Sequence, residues 1–186
     1  MTNTIQGYQV TLRPVTEGDL PQLREWRNSD AVRHNMISTA IISAEQQTAW
    51  FKKIARDASQ QHWVVEYRGV PIGSTNVKAR HMGERIESAS ELEPGLYIGH
   101  PDYQGNLLAF APTLTLYDFC FSQWSTQTFH AVVRQENTAA LKYNQQLGYE
   151  IIERGELISL RLDKHAFERQ TVMLKRMLSR PARRNM

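Results

Sequence analysis

The residues with the most chemistry to offer lie between Glu93 and Phe121, in the run EPGLYIGHPDYQGNLLAFAPTLTLYDFCF. An apolar strand, Leu96 to Ile98, is closed by Gly99-His100-Pro101. A turn through Tyr103-Gln104-Gly105-Asn106 then leads into an apolar helix reaching about Phe121. Free backbone N–H groups at the first turn of a helix, helped by its dipole, form an anion site, so a phosphate fits against this turn. A plain strand-to-helix connection would use the same residues. A second group, Arg27, Arg33 and His34, follows the first helix and can face an anionic ligand or lie at a solvated helix end. A third is the basic C-terminal stretch: from Lys164 onward seven Lys and Arg face one acid, Glu168, which gives +6 and leaves −3 on the remainder. Such a stretch can contact phosphates. It carries no aromatic stacking platform, so nucleic acid is not the expected partner.

The elements that must position these residues are legible in order. Tyr8 to Arg13 alternates as a strand that Pro14 ends. Thr16-Glu17-Gly18-Asp19 caps a helix bearing Leu20, Leu23 and Trp26, and Ser43 with Gln46 forms a capping box ahead of Trp50, Phe51 and Ile54. His62 to Tyr67 and Pro71 to Val77 flank Arg68-Gly69-Val70 as an antiparallel hairpin. Residues 79–92 are polar and aperiodic and read as an exposed loop, a candidate substrate-side flap. Thr128 to Val133 is a strand, Asn137 opens a helix that Gly148 stops, and Tyr149 to Ile152 begins another strand. Glu156 to Leu162 and Thr171 to Met177 both alternate as strands, joined by a polar connection around Asp163-Lys164-His165. The sum is an α/β (α+β) chain with a mixed sheet and helices on both faces.

At 186 residues the chain is long enough for one core without disulfides or metal. Its single cysteine, Cys120, falls among apolar neighbours, which suits a reducing compartment. No leader-like segment opens the chain and no apolar run nears the ~20 residues of a bilayer span, so a cytoplasmic protein away from membranes is expected. The six histidines show no paired metal-ligand spacing, and a P-loop is absent.

Two segments resemble the GNAT superfamily of acetyl-CoA-dependent N-acyltransferases. One is Glu93-Pro94-Gly95-Leu96-Tyr97-Ile98-Gly99 leading into Tyr103-Gln104-Gly105-Asn106-Leu107-Leu108-Ala109, similar to the family's Glu-headed strand and Gly-rich cofactor turn. The other is Asn137-Thr138-Ala139-Ala140 through Leu147-Gly148-Tyr149, which matches the family's Asn-x-x-Ala helix ending in Leu-Gly-aromatic. Trp26-Arg27-Asn28, Val32-Arg33, Met36, Ile42-Ser43 and Trp50-Phe51 are similar to the subgroup that acetylates 4-amino nucleotide sugars, including the pseudaminic-acid pathway acetyltransferase. Ribosomal-protein N-terminal acetyltransferases share a similar start. The resemblance runs from residue 8 to about 178 and implies one GNAT domain over 1–178, with a basic tail at 179–186. It further implies a mixed, mostly antiparallel sheet of about seven strands, acetyl-CoA as co-substrate, and a monomer or homodimer.

It also implies roles. The strand at Leu96, Tyr97, Ile98 and Gly99 would splay from its neighbour and offer its backbone to the pantetheine and thioester. Gln104, Gly105, Asn106, Leu107, Leu108 and Ala109 would cradle the pyrophosphate, and Asn137, Ala140 and Asn144 would complete the cofactor side. Glu93 would be the general base, directly or through water, with His100 the alternative. Arg27, Arg33 and His34 would contact the acceptor: a small primary amine, foremost a 4-amino nucleotide sugar, or else a protein N-terminus. Three features depart from the family. Leu107 and Ala109 stand where glycines are usual; Pro112 delays the regular helix to near Ala111. Asn144 occupies the place of the tyrosine that protonates the coenzyme A thiolate, with Tyr143 rotated by about 100°. Asn144 can donate a hydrogen bond to that thiolate, and the departures keep open a non-catalytic acyl-CoA-binding module.

Overall fold

The computed structural model describes residues 4–180. The chain enters the sheet through two short strands, β1 (Ile5–Gly7) and β2 (Val10–Pro14). Alternation suggests a single strand from Tyr8, but Tyr8 and Gln9 adopt φ of 46° and 74° and make the turn between the two. Two positive φ values are what a two-residue hairpin demands. Tertiary bonds hold them there: the Tyr8 hydroxyl donates to Asp118, and the Gln9 amide donates to the carbonyls of Leu178 and Arg180 at 2.7 and 3.1 Å.

Helices α1 (Leu20–Asn28), α2 (Asp30–Arg33) and α3 (Ala44–Ile54) follow. The capping box expected at Ser43 is present, with the Gln46 N–H donating to Ser43 Oγ at 3.1 Å and the Ser43 N–H donating to Gln46 Oε1 at 2.9 Å. Strands β3 (Gln60–Tyr67) and β4 (Val70–Ala79) turn on Arg68-Gly69, and β5 (Glu91–Ile98) pairs antiparallel with β4 over seven residues, Leu92 to Ile98. Helix α4 (Phe110–Gln123) then crosses the sheet, and β6 (Thr128–Arg134) inserts parallel to β5. Helix α5 (Thr138–Leu147), strands β7 (Glu150–Glu153) and β8 (Leu157–Asp163), and helices α6 (Lys164–Gln170) and α7 (Val172–Leu178) complete the chain.

The sheet has eight strands rather than about seven, in the order β1-β2-β3-β4-β5-β6-β8-β7, with β5·β6 the parallel pair. One face packs on α1, where Leu23 and Trp26 meet Val64 and Tyr97. The other packs on α4, which is buried from Phe110 to Tyr117 and again at Cys120 and Phe121. Thr171–Met177 is helix α7, not a strand: Thr171, Leu174 and Leu178 are buried at helical spacing. The connection expected at Asp163-Lys164-His165 is the start of α6, which Asp163 caps. Residues 80–90 are pinned rather than a flap. Ile86 and Ala89 are buried, and the N–H groups of Ile86 and Ser125 donate to Ala58 and Glu87 at 3.1 and 3.0 Å. Of the basic tail, Arg183 and Arg184 lie outside the described residues.

His62 on β3 links this packing to pH. Its ring sits edge-on to Trp50 of α3 at 5.0 Å, with Nε2 2.9 Å from Gln60 Oε1. Burial first, and then the nearby Lys78 charge, lower its pKa from 6.5 to about 4. The folded state thus binds this proton less readily than the unfolded chain, so its contribution to stability is complete above 6.5 and is lost as the pH falls toward 4. Urea unfolding between pH 7 and 4 should show a loss of up to about 3 kcal/mol from this residue, absent in His62→Gln.

Candidate active site

The site begins where two parallel strands part. β5 and β6 pair at Glu91↔Thr128 and Leu92↔Phe129 and then no further, although both strands continue. The hydrogen bonds at the ends of β5 reveal which way its backbone points. Arg80 N–H donates to Glu91 C=O, and Gly99 N–H to Ile72 C=O, so the odd-numbered residues turn toward β4. Thr128 N–H donates to Ser90 C=O, so the even-numbered residues turn toward β6. Past Leu92 that side has no strand partner, which leaves the N–H groups of Leu96 and Ile98 and the carbonyls of Pro94 and Leu96 facing the gap. The Ile98 carbonyl receives a side-chain bond from Gln104 Nε2 at 3.0 Å.

A cavity of about 780 Å³ runs through this gap, within the size range of small-molecule sites. On one side it meets the turn after β5. Gly105 has φ of 70°, Asn106 Oδ1 accepts from the Leu108 N–H at 2.8 Å, and a 3₁₀ turn at Leu107–Ala109 precedes α4. Among the described residues the N–H groups of Gly105, Asn106 and Leu107 donate to no protein acceptor. Pro112 is the third residue of α4, where its missing donor costs nothing, and the regular helix starts at Phe110. Leu107 and Ala109, where glycines are expected, both line the cavity, and Leu107 is 41 % exposed.

Helix α5 forms the opposite wall. Asn137 caps it, its Oδ1 accepting from the Ala140 N–H at 3.1 Å, and Gly148 ends it at φ 105°. Tyr143 stacks on Phe110 with centroids 4.4 Å apart, and its hydroxyl donates to the Ala109 carbonyl at 2.8 Å while lying 2.7 Å from the Thr113 hydroxyl. Burial pushes its phenol well above the usual range, so it stays protonated and acts as a tie between α5 and the turn. Asn144 lines the cavity, and its side chain makes no hydrogen bond among the described residues.

Of the sequence-expected cofactor residues, Leu96, Tyr97, Ile98, Gln104, Gly105, Asn106, Leu107, Ala109, Asn137, Ala140 and Asn144 line the cavity. Gly99 and Leu108 do not. Gly99 is there for close packing, since a Cβ would lie 2.1 Å from the Trp26 ring, and Leu108 packs on the core. Glu93 lies outside the cavity lining with its side chain exposed on the face opposite α4, and His100 accepts the Asp102 N–H at 3.3 Å. Arg27, Arg33 and His34 are also outside the lining. Arg27 donates to Ser38 C=O at 2.9 Å, Arg33 to Thr39 C=O at 3.0 Å, and His34 pairs with Asp30 at 3.3 Å. With Asn28 bonded both ways to Ile42 at 2.8 Å and Arg134 donating to Ile37 C=O at 3.3 Å, these side chains strap segment 34–43 from α2 to the end of β6.

Sequence reading missed several lining residues. Ala31, Val32, Asn35 and Met36 enter from the α2 side, and Thr75 and Val133 from the flanking strands. Among the described residues, Lys142 is the only charged one in the lining. A lone lysine on a polar helix face carries no sequence signal; only the fold turns it toward the cavity.

These features fit a ligand with an extended amide chain, a pyrophosphate and a thioester. The exposed β5 backbone suits the amides, and three free N–H groups with Lys142 suit the phosphates. A family model described as an acetyltransferase (GNAT) domain matches residues 9–150. The chain belongs to the GNAT family. It is therefore an N-acetyltransferase with acetyl-CoA as co-substrate, and its open, mixed sheet with helices is the GNAT fold. Spermidine N(1)-acetyltransferase of Escherichia coli K12 is 25% identical over 153 residues, covering 82% of this chain and 77% of that protein. Among solved structures, apo FdhC, a nucleotide-linked sugar GNAT, superposes with a TM-score of 0.76 at 18% identity, covering 96% of this chain and 99% of that one. AAC(6')-Ib in complex with paromomycin and acetyl-CoA gives 0.74 at 20% identity, covering 87% and 97%. Campylobacter jejuni PseH in complex with acetyl coenzyme A gives 0.62 at 18% identity, covering 83% and 99%. No helix among the described residues is long and apolar enough to cross a membrane.

The tie from Tyr143 makes one expectation measurable in this GNAT chain. Tyr143→Phe removes a hydrogen bond worth about 1 kcal/mol between α5 and the turn after β5. Its acetyl-CoA Kd should rise by up to about fivefold, with kcat at saturating donor little changed, as calorimetry and steady-state kinetics would show.

Proposed function

We propose that this GNAT enzyme acetylates a primary amine of a small metabolite, an amino sugar, with a 4-amino nucleotide sugar as the leading acceptor. The observation that carries the reading is the strap. Segment 34–43 is fixed across the end of the β5–β6 gap by four side chains, so the acceptor end is bounded on the α2 side by Ala31, Asn35 and Met36. A bounded end suits a compact acceptor better than a polypeptide terminus. The folds of FdhC, a nucleotide-linked sugar GNAT, and PseH support the same class.

In this reading Arg27, Arg33 and Arg134 serve the strap, and the acceptor's anionic part is met by Arg161 on the open face of β6 and β8. Arg161 lies opposite His130, half-buried, with no ion pair or hydrogen bond among the described residues. The acetyl carbonyl lies against the Leu96 N–H, which stabilises the oxyanion as the amine adds. Glu93, exposed beside the last β5·β6 pair, receives the amine's proton through solvent. Asn144 donates to the departing thiolate, whose pKa near ~8.5 needs little assistance. Residues 1–178 act as one catalytic domain with 179–186 as a tail. A cytoplasmic setting goes with the buried free thiol of Cys120.

The test is an acceptor screen with acetyl-CoA, following coenzyme A release and acetylated product by mass. A UDP-linked 4-amino sugar should exceed an aminoglycoside and spermidine in kcat/KM by about tenfold or more. A preference for spermidine would refute the sugar assignment. Absence of transfer to every amine, with acetyl-CoA still bound, would favour a non-catalytic module. In the active enzyme, Asn144→Ala should lower kcat by roughly tenfold without weakening acetyl-CoA binding.

A further inference from the structure

The register of β5 on β6 shows which donor is missing where their pairing ends. A parallel ladder advances by alternate donors from the two strands. Thr128 N–H donates to Ser90 C=O, and the pairs Glu91↔Thr128 and Leu92↔Phe129 place the next contacts: Leu92 N–H to Thr128 C=O and His130 N–H to Leu92 C=O. The rung after that would pair Glu93 with His130, and its donor would be the N–H of residue 94 aimed at the His130 carbonyl. Residue 94 is proline and has no N–H. Pairing stops at this rung, although β6 runs on to Arg134 in full register with β8 and β5 runs on to Ile98 in full register with β4.

Proline is tolerated inside a sheet only where its nitrogen faces no ladder acceptor. Pro94 sits midway along β5, between two strands, and its nitrogen is turned to the side where the ladder is absent. Pro94 itself lines the cavity, next to Gly95 and Leu96.

We propose that Pro94 is a positioning residue for acetyl transfer: by withholding one donor it ends the β5·β6 ladder at Leu92 and keeps the Leu96 and Ile98 N–H groups free for the acyl donor. The inference rests on the use of this gap by acetyl-CoA. A residue with an N–H at this position can supply the missing donor to the His130 carbonyl. Pro94 touches no reacting atom; it acts through the backbone two residues on.

The experiment uses the full chain carrying Pro94→Ala, with Pro94→Ser as a second variant should the alanine form fail to fold. Backbone amide exchange by NMR reports the new N–H directly. The proposal expects residue 94 to be protected as a strand amide, the Leu96 amide to exchange more slowly than in the wild type, and the acetyl-CoA Kd to rise by about tenfold at unchanged or higher Tm. An unprotected amide at residue 94, or protection there with unaltered acetyl-CoA affinity, would overturn it. A wild-type chain that binds no acetyl-CoA would instead refute the donor-binding reading, while the amide at residue 94 would still show whether proline ends the ladder.

Discussion

The structure depends on a ladder that stops early. Sheets close their backbone hydrogen bonds because an unpaired, shielded N–H or C=O is costly. Here the centre of an eight-stranded sheet leaves one strand half unpaired on one side, at β5 beyond Leu92. The rest of the architecture keeps that gap open without letting the sheet come apart. β5 is held to β4 over seven consecutive pairs and by the Thr75 hydroxyl, which donates to Gly95 C=O at 2.9 Å. β6 is held to β8 over seven more, Thr128 to Arg134. α4 seals the floor with a buried apolar face, and Gln104 satisfies one of the exposed carbonyls.

In the proposed reading the donor and acceptor lie on opposite sides of one opening. On the α4–α5 side are three free N–H groups, Lys142 and the unbonded Asn144, which suit phosphates and a thiolate. On the α2 side are the strap, Asn35 and Met36, with the charged outer face of β6 and β8 beyond. In that reading the thioester meets the amine in the gap between them. Local stability is then traded for reactivity there, since the same unpaired groups that weaken the sheet are the ones proposed to bind.

Much of this was legible in the sequence because it rests on local rules. The Ser43 capping box, the Asn137 cap, the Gly148 stop and the Arg68-Gly69 hairpin each depend on residues a few positions apart, and each is found where expected. What failed depends on distant partners. Alternation at Thr171–Met177 imitates a strand, but burial of Leu174 and Leu178 against the core selects the helix. Residues 79–92 look like a free loop because their buried hydrophobic members, Ile86, Ala89 and Leu92, are single residues set among polar ones. Arg27 and Arg33 offered charge in the right region, yet each commits one donor to a carbonyl, eleven and six residues away, a pairing that no spacing rule reveals. Pro94 was visible throughout, but which strand its nitrogen faces follows only from the register.

The central claim is that the unpaired side of β5 and the turn after it are where the acyl donor lies. Amide hydrogen exchange of the wild-type chain with and without saturating acetyl-CoA tests this most directly. The account predicts that added protection concentrates at Leu96, Ile98, Gly105, Asn106 and Leu107, the amides left without a protein acceptor. Saturation by acetyl-CoA with those five amides unchanged, or with protection gathered elsewhere in the chain, would contradict it.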